Sequence, residues 1–260
     1  MAAKSVEHPI GIDFGGSGIK AAPVDLDSGE FAAERERIPT PQTSTPEAVA
    51  EVMAELLAKF EGAGSSPVGV TIPGVVRRGV VRSAANIDKH WIGTDADALL
   101  TKRLGRDVYV VNDADAAGVA EVSYGAAKGR SRLVIVTTLG TGIGSALLYD
   151  GVLIPNSELG HLEIDGADAE KRAASSAREN ESLSWEAWAK RLTTYYRTLE
   201  KLFSPDLFVV GGGVSKHSDK FVPLIEIETE IIAAQLKNTA GIVGAAVVTQ
   251  DPRRDSASAE

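Results

Sequence analysis

The chain has 260 residues, 43% hydrophobic and 24% charged, which suits one large or two modest domains with enough length for a sizeable core. Its 27 basic and 36 acidic residues give a net charge of −9, so no broad basic field exists to hold nucleic acid or an anionic membrane. The absence of cysteine excludes disulfides and thiolate zinc sites. No apolar run approaches the ~20 residues of a membrane span, and the first residues lack the apolar stretch of a signal peptide, so a cytoplasmic location is expected.

In chain order, residues 9–24 read as a strand ending near Asp13, a glycine loop (Gly15, Gly16, Ser17, Gly18) and a second strand that includes Lys20. A turn at 25–29 leads to a third strand over 30–38. Thr45-Pro46-Glu47 starts a helix, with apolar residues from Val49 to Phe60 at helical spacing and an end at Gly62 to Pro67. A short strand at 68–72 runs into Pro73-Gly74, a strand pair covers 75–81, a loop covers 86–93, and a helix is expected over 95–104. Residues 108–112 form an apolar strand that reaches Asn112-Asp113 and passes into an Ala-rich helix. Asp113 thus lies beyond the carboxyl end of a strand, where open α/β sheets put their ligands. It either caps the helix or serves as a general base.

The strand at 133–138 opens onto Gly140, Thr141, Gly142, Ile143 and Gly144, then a strand, an Asp150-Gly151 hairpin turn and a returning strand. Residues 166–183 read as a surface loop or frayed helix. Ser184 caps a long helix whose aromatic stripe, Trp185 to Phe203, is expected to pack in the core. A buried strand at 207–210 opens onto Gly211-Gly212-Gly213. A helix is expected over 224–236, a closing helix over 241–248, and a disordered tail over 251–260.

The two glycine loops correspond at a constant offset: 140 − 16 = 124 and 142 − 18 = 124. Each joins two strands and is followed by a turn and a third strand, so the chain reads as a duplicated unit. Gly16-x-Gly18-x-x-Ala21 is not a dinucleotide loop, because it opens a strand where that fingerprint opens a helix. Backbone N–H groups of a glycine loop can still face a phosphate. Asp13, just before the first loop, can hold Mg²⁺ through water.

Asp13 to Lys20, Asn112-Asp113, Leu139 to Gly144, Glu158-Leu-Gly-His161 and Gly211 to Gly213 together resemble the ROK family of sugar kinases and repressors. The resemblance spans residues 9–250. It implies an α/β fold of the actin-like, hexokinase-type (ribonuclease H-like) duplicated class, with two lobes and a central cleft. The small lobe is expected over 1–112 and the large lobe over 113–260, with the closing helix packing back on the small lobe. Similarity is greatest to the polyphosphate-using glucokinases and glucomannokinases of actinobacteria, through the short chain, Phe203 to Leu207 and Asn238 to Gly244.

The resemblance further implies phosphoryl transfer from polyphosphate or ATP to the 6-hydroxyl of glucose, with mannose as a second acceptor, in a homodimer. Asp113 matches the general base. Gly74, Asn86, Asn112, Asp113, Glu158 and His161 match sugar-binding positions. Asp13, Gly15, Gly16, Ser17, Gly18, Lys20, Gly140, Thr141, Gly142 and Gly211 to Gly213 match the phosphate and nucleotide positions, with Mg²⁺ near Asp13. Zinc is not carried over, because the cysteines of the family's zinc site are missing. Two basic clusters, Lys128-Arg130-Arg132 and Lys216-His217-Lys220, are candidates for a polyphosphate path, but such clusters are more often solvated faces, and polyphosphate use rests on the resemblance. An ATP-only sugar kinase and a non-catalytic sugar sensor are the competing readings.

Overall fold

A computed structural model describes residues 8–60 and 64–251; the helix end at Gly62 and the tail from 252 onward lie outside the described residues. The chain forms two compact units. One runs to Ala116 and takes back the segment from Gly241, and the other spans Ala117–Ala240.

In the first unit, β1 (Ile10–Gly15) and β2 (Gly18–Asp25) form an antiparallel hairpin in which Gly15 faces Gly18. The strand expected over 30–38 is two strands, β3 (Glu30–Phe31) and β4 (Glu36–Ile38), both paired to β2. Between them the run Ala32-Ala-Glu-Arg35 is exposed and offers the sheet no apolar side chain to bury.

Thr45 caps α1 (Pro46–Leu57), which buries Val49, Met53 and Leu56. The helix stops before Phe60, whose side chain still packs on the core from the following turn. β5 (Val68–Ile72) lies parallel to β1 and is buried on both faces, as a central parallel strand requires. β6 (Val76–Arg77) and β7 (Val80–Val81) make a small hairpin. Asp95 caps α2 (Ala96–Leu104), and Gly105 ends it in the left-handed conformation. β8 (Val108–Asn112) pairs parallel with β5 and leads into α3 (Asp113–Ser123). The sheet order is β3-β2-β1-β5-β8.

In the second unit, β9 (Leu133–Leu139), β10 (Ile143–Tyr149) and β11 (Val152–Ile154) form a meander. Residues 166–183 are not a surface loop. They contribute to the hairpin of β12 (Glu163–Ile164) and β13 (Ala167–Asp168) and to the short helices α4 (Glu170–Ala173) and α5 (Ser175–Asn180). Their alanines, Ala169, Ala173, Ala174 and Ala177, are buried, so small size rather than polarity explains the composition. They pack beneath α6 (Trp185–Phe203), which buries Trp188, Leu192, Tyr195, Tyr196 and Leu199 as its spacing implies.

β14 (Leu207–Gly211) pairs parallel with β9. The helix expected over 224–236 is absent. Short 3-10 turns at Gly213–Lys220 and Val222–Leu224 lead to β15 (Ile231–Ala233), parallel to β14. Alternating Ile225, Ile227 and Thr229 followed by Ile231-Ile232 is a β-branched pattern, and a vacant edge of β14 was there to receive it. The order is β11-β10-β9-β14-β15, matching the path β3-β2-β1-β5-β8 of the first sheet, which carries β4 in addition. The duplication inferred from two glycine loops therefore extends through both sheets.

The closing helix α7 (Ala240–Val248) packs on the first unit's sheet at backbone contact. A Cβ at Gly11 would run into the Ile242 carbonyl oxygen, and one at Gly69 into that of Ala245. These two strand glycines exist to let the helix approach. No helix among the described residues is long and apolar enough to cross a membrane.

Candidate active site

The expected site residues fall into two sets, one in each unit. In the first unit, Asn112 is buried and Asp113 is exposed at the carboxyl end of β8. Asn112 Oδ1 accepts from the N–H groups of Ala114 at 2.9 Å and Asp115 at 3.1 Å. Asp113 Oδ1 shares only the first of these, also at 2.9 Å. Asn112 is thus the main cap of α3. Its Nδ2 donates to the Gly74 carbonyl oxygen at 3.1 Å, so Gly74, Asn112 and Asp113 are brought together. Sequence reasoning assigned Asn112 to the sugar and weighed capping for Asp113, whereas most of the Asn112 amide is already engaged within the protein.

Asp13 lies beside the first glycine loop. Its Oδ2 pairs with Lys20 Nζ at 3.1 Å, and its Oδ1 accepts from Thr71 Oγ1 at 3.2 Å. The loop carbonyls are engaged as well: Thr40 Oγ1 donates to Gly15 O at 2.5 Å, and Arg37 Nη2 donates to Ser17 O at 2.8 Å. The Asn86 carbonyl borders Gly16, from the left-handed conformation at φ 59°. Trp91, farther along the loop that begins at Asn86, is fully buried, and its Nε1 donates to Ser44 O at 2.8 Å. Among the described residues no group of three His, Asp or Glu side chains is arranged to hold a metal ion. A lone carboxylate next to a phosphate loop fits Mg²⁺ held mainly by water and substrate phosphates.

In the second unit, Gly140 N donates to Gly142 O at 3.0 Å, closing the second loop. Ser176 clamps it, with N to Gly140 O at 3.1 Å and Oγ to Thr141 O at 2.6 Å. Glu170 Oε2 accepts from Ile143 N at 3.1 Å. Its other oxygen faces His161 Nδ1 at 3.7 Å, while Asp168 and Glu158 each lie 3.8 Å from a His161 ring nitrogen. These separations exceed hydrogen bonds, so the attraction is electrostatic and requires a protonated ring. Desolvation pushes the Glu158 carboxyl above the ordinary glutamate range; His161 opposes this and Glu170 adds to it. His161 is exposed, whereas Glu158 keeps 39% of its side-chain surface and is covered on one side.

Gly211 ends β14, and Gly212 turns at φ 84° against the backbone of Leu139. Gly213, Gly140, Thr141, Arg178, Trp185 and Lys216 line a pocket of about 420 Å³ within this unit. The Arg178 guanidinium stacks over the Trp185 ring at 3.6 Å. The Trp185 ring also stacks with Phe221, so the pocket offers backbone-rich loops and cations that can receive phosphate groups. Trp185 is therefore only partly the core residue its spacing implied.

The ROK family pattern matches residues 9–176. The chain belongs to the ROK family. It is 51% identical over 248 residues to the polyphosphate glucokinase of Mycobacterium tuberculosis (strain CDC 1551 / Oshkosh), covering 95% of this chain and 93% of that one. The crystal structure of the inorganic polyphosphate/ATP-glucomannokinase from Arthrobacter sp. strain KM superposes with a TM-score of 0.87 at 56% identity, covering 92% of this chain and 97% of that one. A ROK glucokinase from Streptomyces griseus, solved with glucose and AMPPNP, gives 0.78 at 26% identity, covering 92% and 98%. The fold of this ROK protein is the actin-like, hexokinase-type α/β fold, with two sheet-bearing lobes.

Several residues around the candidate sites of this ROK protein escaped the sequence reading. Thr40, Thr71, Arg37 and Ser176 touch the loops through hydrogen bonds from distant positions, which leave no local pattern. Asp168, Glu170 and Arg178 lay within the stretch read as surface. Of the two basic clusters, Arg130 is paired with Glu230 at 2.8 Å, whereas Lys216 and His217 line the pocket.

Proposed function

We propose that this ROK protein is a cytoplasmic, homodimeric hexose kinase. It transfers a terminal phosphoryl group from inorganic polyphosphate or ATP to the 6-hydroxyl of glucose, with mannose as a second acceptor. The observation that carries the chemistry is Asp113, an exposed carboxylate at the carboxyl end of the parallel edge strand β8, with the helix cap supplied chiefly by its neighbour. The likeness to polyphosphate glucokinases over nearly the whole chain supports the choice of donor and acceptor.

In this reading Asp113 accepts the proton of the sugar 6-hydroxyl as that oxygen attacks the terminal phosphorus. Gly74, Asn86, the remaining Asn112 amide N–H, Glu158 and His161 hold the other hydroxyls. An unpaired polar group in such a site is costly, which gives selectivity for the sugar's hydroxyl pattern. N–H groups of the loops at Gly15 to Gly18 and Gly140 to Gly142 face the donor phosphates, with Lys20 adding positive charge. Gly211, Gly212 and Gly213 border the nucleotide when the donor is ATP. Mg²⁺ near Asp13, when bound, neutralises developing charge on the phosphoryl oxygens.

An ATP-only kinase is the second reading, favoured by the pocket around Arg178 and Trp185. The deciding experiment supplies glucose, Mg²⁺ and nucleotide-free polyphosphate and measures glucose 6-phosphate. Product is expected. Product from ATP alone would leave the second reading, and no product from either donor would favour a sugar sensor.

A further inference from the structure

The β6–β7 hairpin carries the sequence Val75-Val-Arg-Arg-Gly-Val-Val-Arg82. Val76 faces Val81 and Arg77 faces Val80, while Arg82 N donates to Val75 O at 2.8 Å. Strand alternation therefore sends Val76 and Val81 into the core, where both are buried. It leaves Arg77 and Arg82 on the opposite face as diagonal neighbours, about 7–8 Å apart at the backbone. Arg78 sits at the tip in the left-handed conformation, φ 51°, followed by Gly79.

All three arginines are exposed, and among the described residues none of them forms an ion pair. Together with Val75 and Val80 they line a depression of about 860 Å³. In a chain of net charge −9, three guanidinium groups on eight residues form a local positive patch, bordered at Gly79 by the Asp97 carboxylate.

The hairpin is rooted at the candidate active site. It begins immediately after Gly74, whose carbonyl oxygen is held by Asn112, next to Asp113. Val75 N donates to Ser83 Oγ at 2.9 Å, closing the hairpin's base. Arg78 lies four positions after Gly74, a reach of at most roughly 14 Å. A linear polyanion that delivers its terminal group beside Asp113 can thus extend along the hairpin.

We propose that Arg77, Arg78 and Arg82 form a distal subsite for the trailing segment of long-chain inorganic polyphosphate. This rests on the polyphosphate-kinase reading above. Guanidinium groups suit the task, since each can give two parallel N–H bonds to phosphate oxygens. The cluster at Arg130 does not, because its guanidinium is already paired with Glu230.

The test compares wild type with Arg77→Gln/Arg78→Gln/Arg82→Gln and with Arg130→Gln. The KM for long-chain polyphosphate is expected to rise at least about tenfold in the triple variant, with kcat and the KM values for ATP and glucose within twofold of wild type. Tripolyphosphate use is expected to change little. The slope of log KM for long-chain polyphosphate against log salt should become shallower by about 2, as lost phosphate contacts require. Arg130→Gln should behave as wild type. An unchanged KM for long-chain polyphosphate in the triple variant overturns the proposal, as does an equal rise in KM for ATP. Direct binding of labelled long-chain polyphosphate separates the two layers. Wild-type binding that is lost in the triple variant, in a protein that phosphorylates glucose only from ATP, supports the subsite while removing polyphosphate as donor.

Discussion

The Asn112 side-chain amide donates to the Gly74 carbonyl oxygen at 3.1 Å, joining the end of β8 to the bend that follows β5. The same side chain caps α3 through Oδ1. One residue therefore sets the backbone on which Asp113 stands. Asn112→Ala removes both connections and is expected to cost about 2–4 kcal/mol. Urea unfolding measures this, and a variant as stable as wild type would show that the two bonds contribute nothing net.

Asp113→Asn retains the shape of the side chain and removes the proton acceptor. We expect kcat to fall by about 10²–10⁴, the usual worth of a positioned general base, with glucose affinity within a few-fold of wild type. Single-turnover kinetics and calorimetry provide the two readouts. Near-normal turnover would exclude Asp113 as the base.

Glu158 titrates above its ordinary range because it is desolvated, with Glu170 adding repulsion and His161 partly compensating. A raised folded-state pKa stabilises the protein below the unfolded value and loses that contribution as pH rises through the folded value. Glu158→Gln does not titrate there. Its melting temperature relative to wild type is therefore expected to move in the variant's favour as pH rises from below the reference of 4.5 to neutrality. A difference independent of pH, or one of opposite sign, would contradict this environment for Glu158.

Gly212 stands at φ 84°, and any side chain there would meet the backbone of Leu139. Gly212→Ala is expected to destabilise by about 1–3 kcal/mol and to raise the KM for ATP, since the adjoining Gly213 lines the pocket. Unchanged stability by calorimetric melting would mean that the turn is relaxed elsewhere.

Glu121 is 1% exposed, and its carboxylate accepts from Ala126 N at 2.7 Å, Gln235 N at 3.2 Å and Leu236 N at 2.8 Å. It holds the segment that follows β15 to α3. Glu121→Ala leaves three backbone donors without this acceptor and is expected to cost about 3 kcal/mol or more. Hydrogen exchange should show the loss first at residues 234–236; protection there equal to wild type would refute the role.

Sequence alone determined most of the elements and named the candidate residues for the chemistry. The runs 68–72, 108–112, 133–138 and 207–210 are apolar, largely β-branched and short, which marks them as buried strands. The matching glycine loops announced the duplication because a two-residue spacing of glycines survives in the local text. The stretch at 166–183, expected as a surface loop or frayed helix, forms short helices with buried alanines, and the helix expected over 224–236 is absent, because alanine and alternating isoleucine are compatible with several states. Their outcome depended on what lay opposite: α6 above the alanines, and the open edge of β14 beside Ile231. Tertiary structure also assigned the cap of α3 to Asn112, which turns on a bond to Gly74, 38 residues away. Such bonds depend on the register of two strands, and no local pattern of residues records that register.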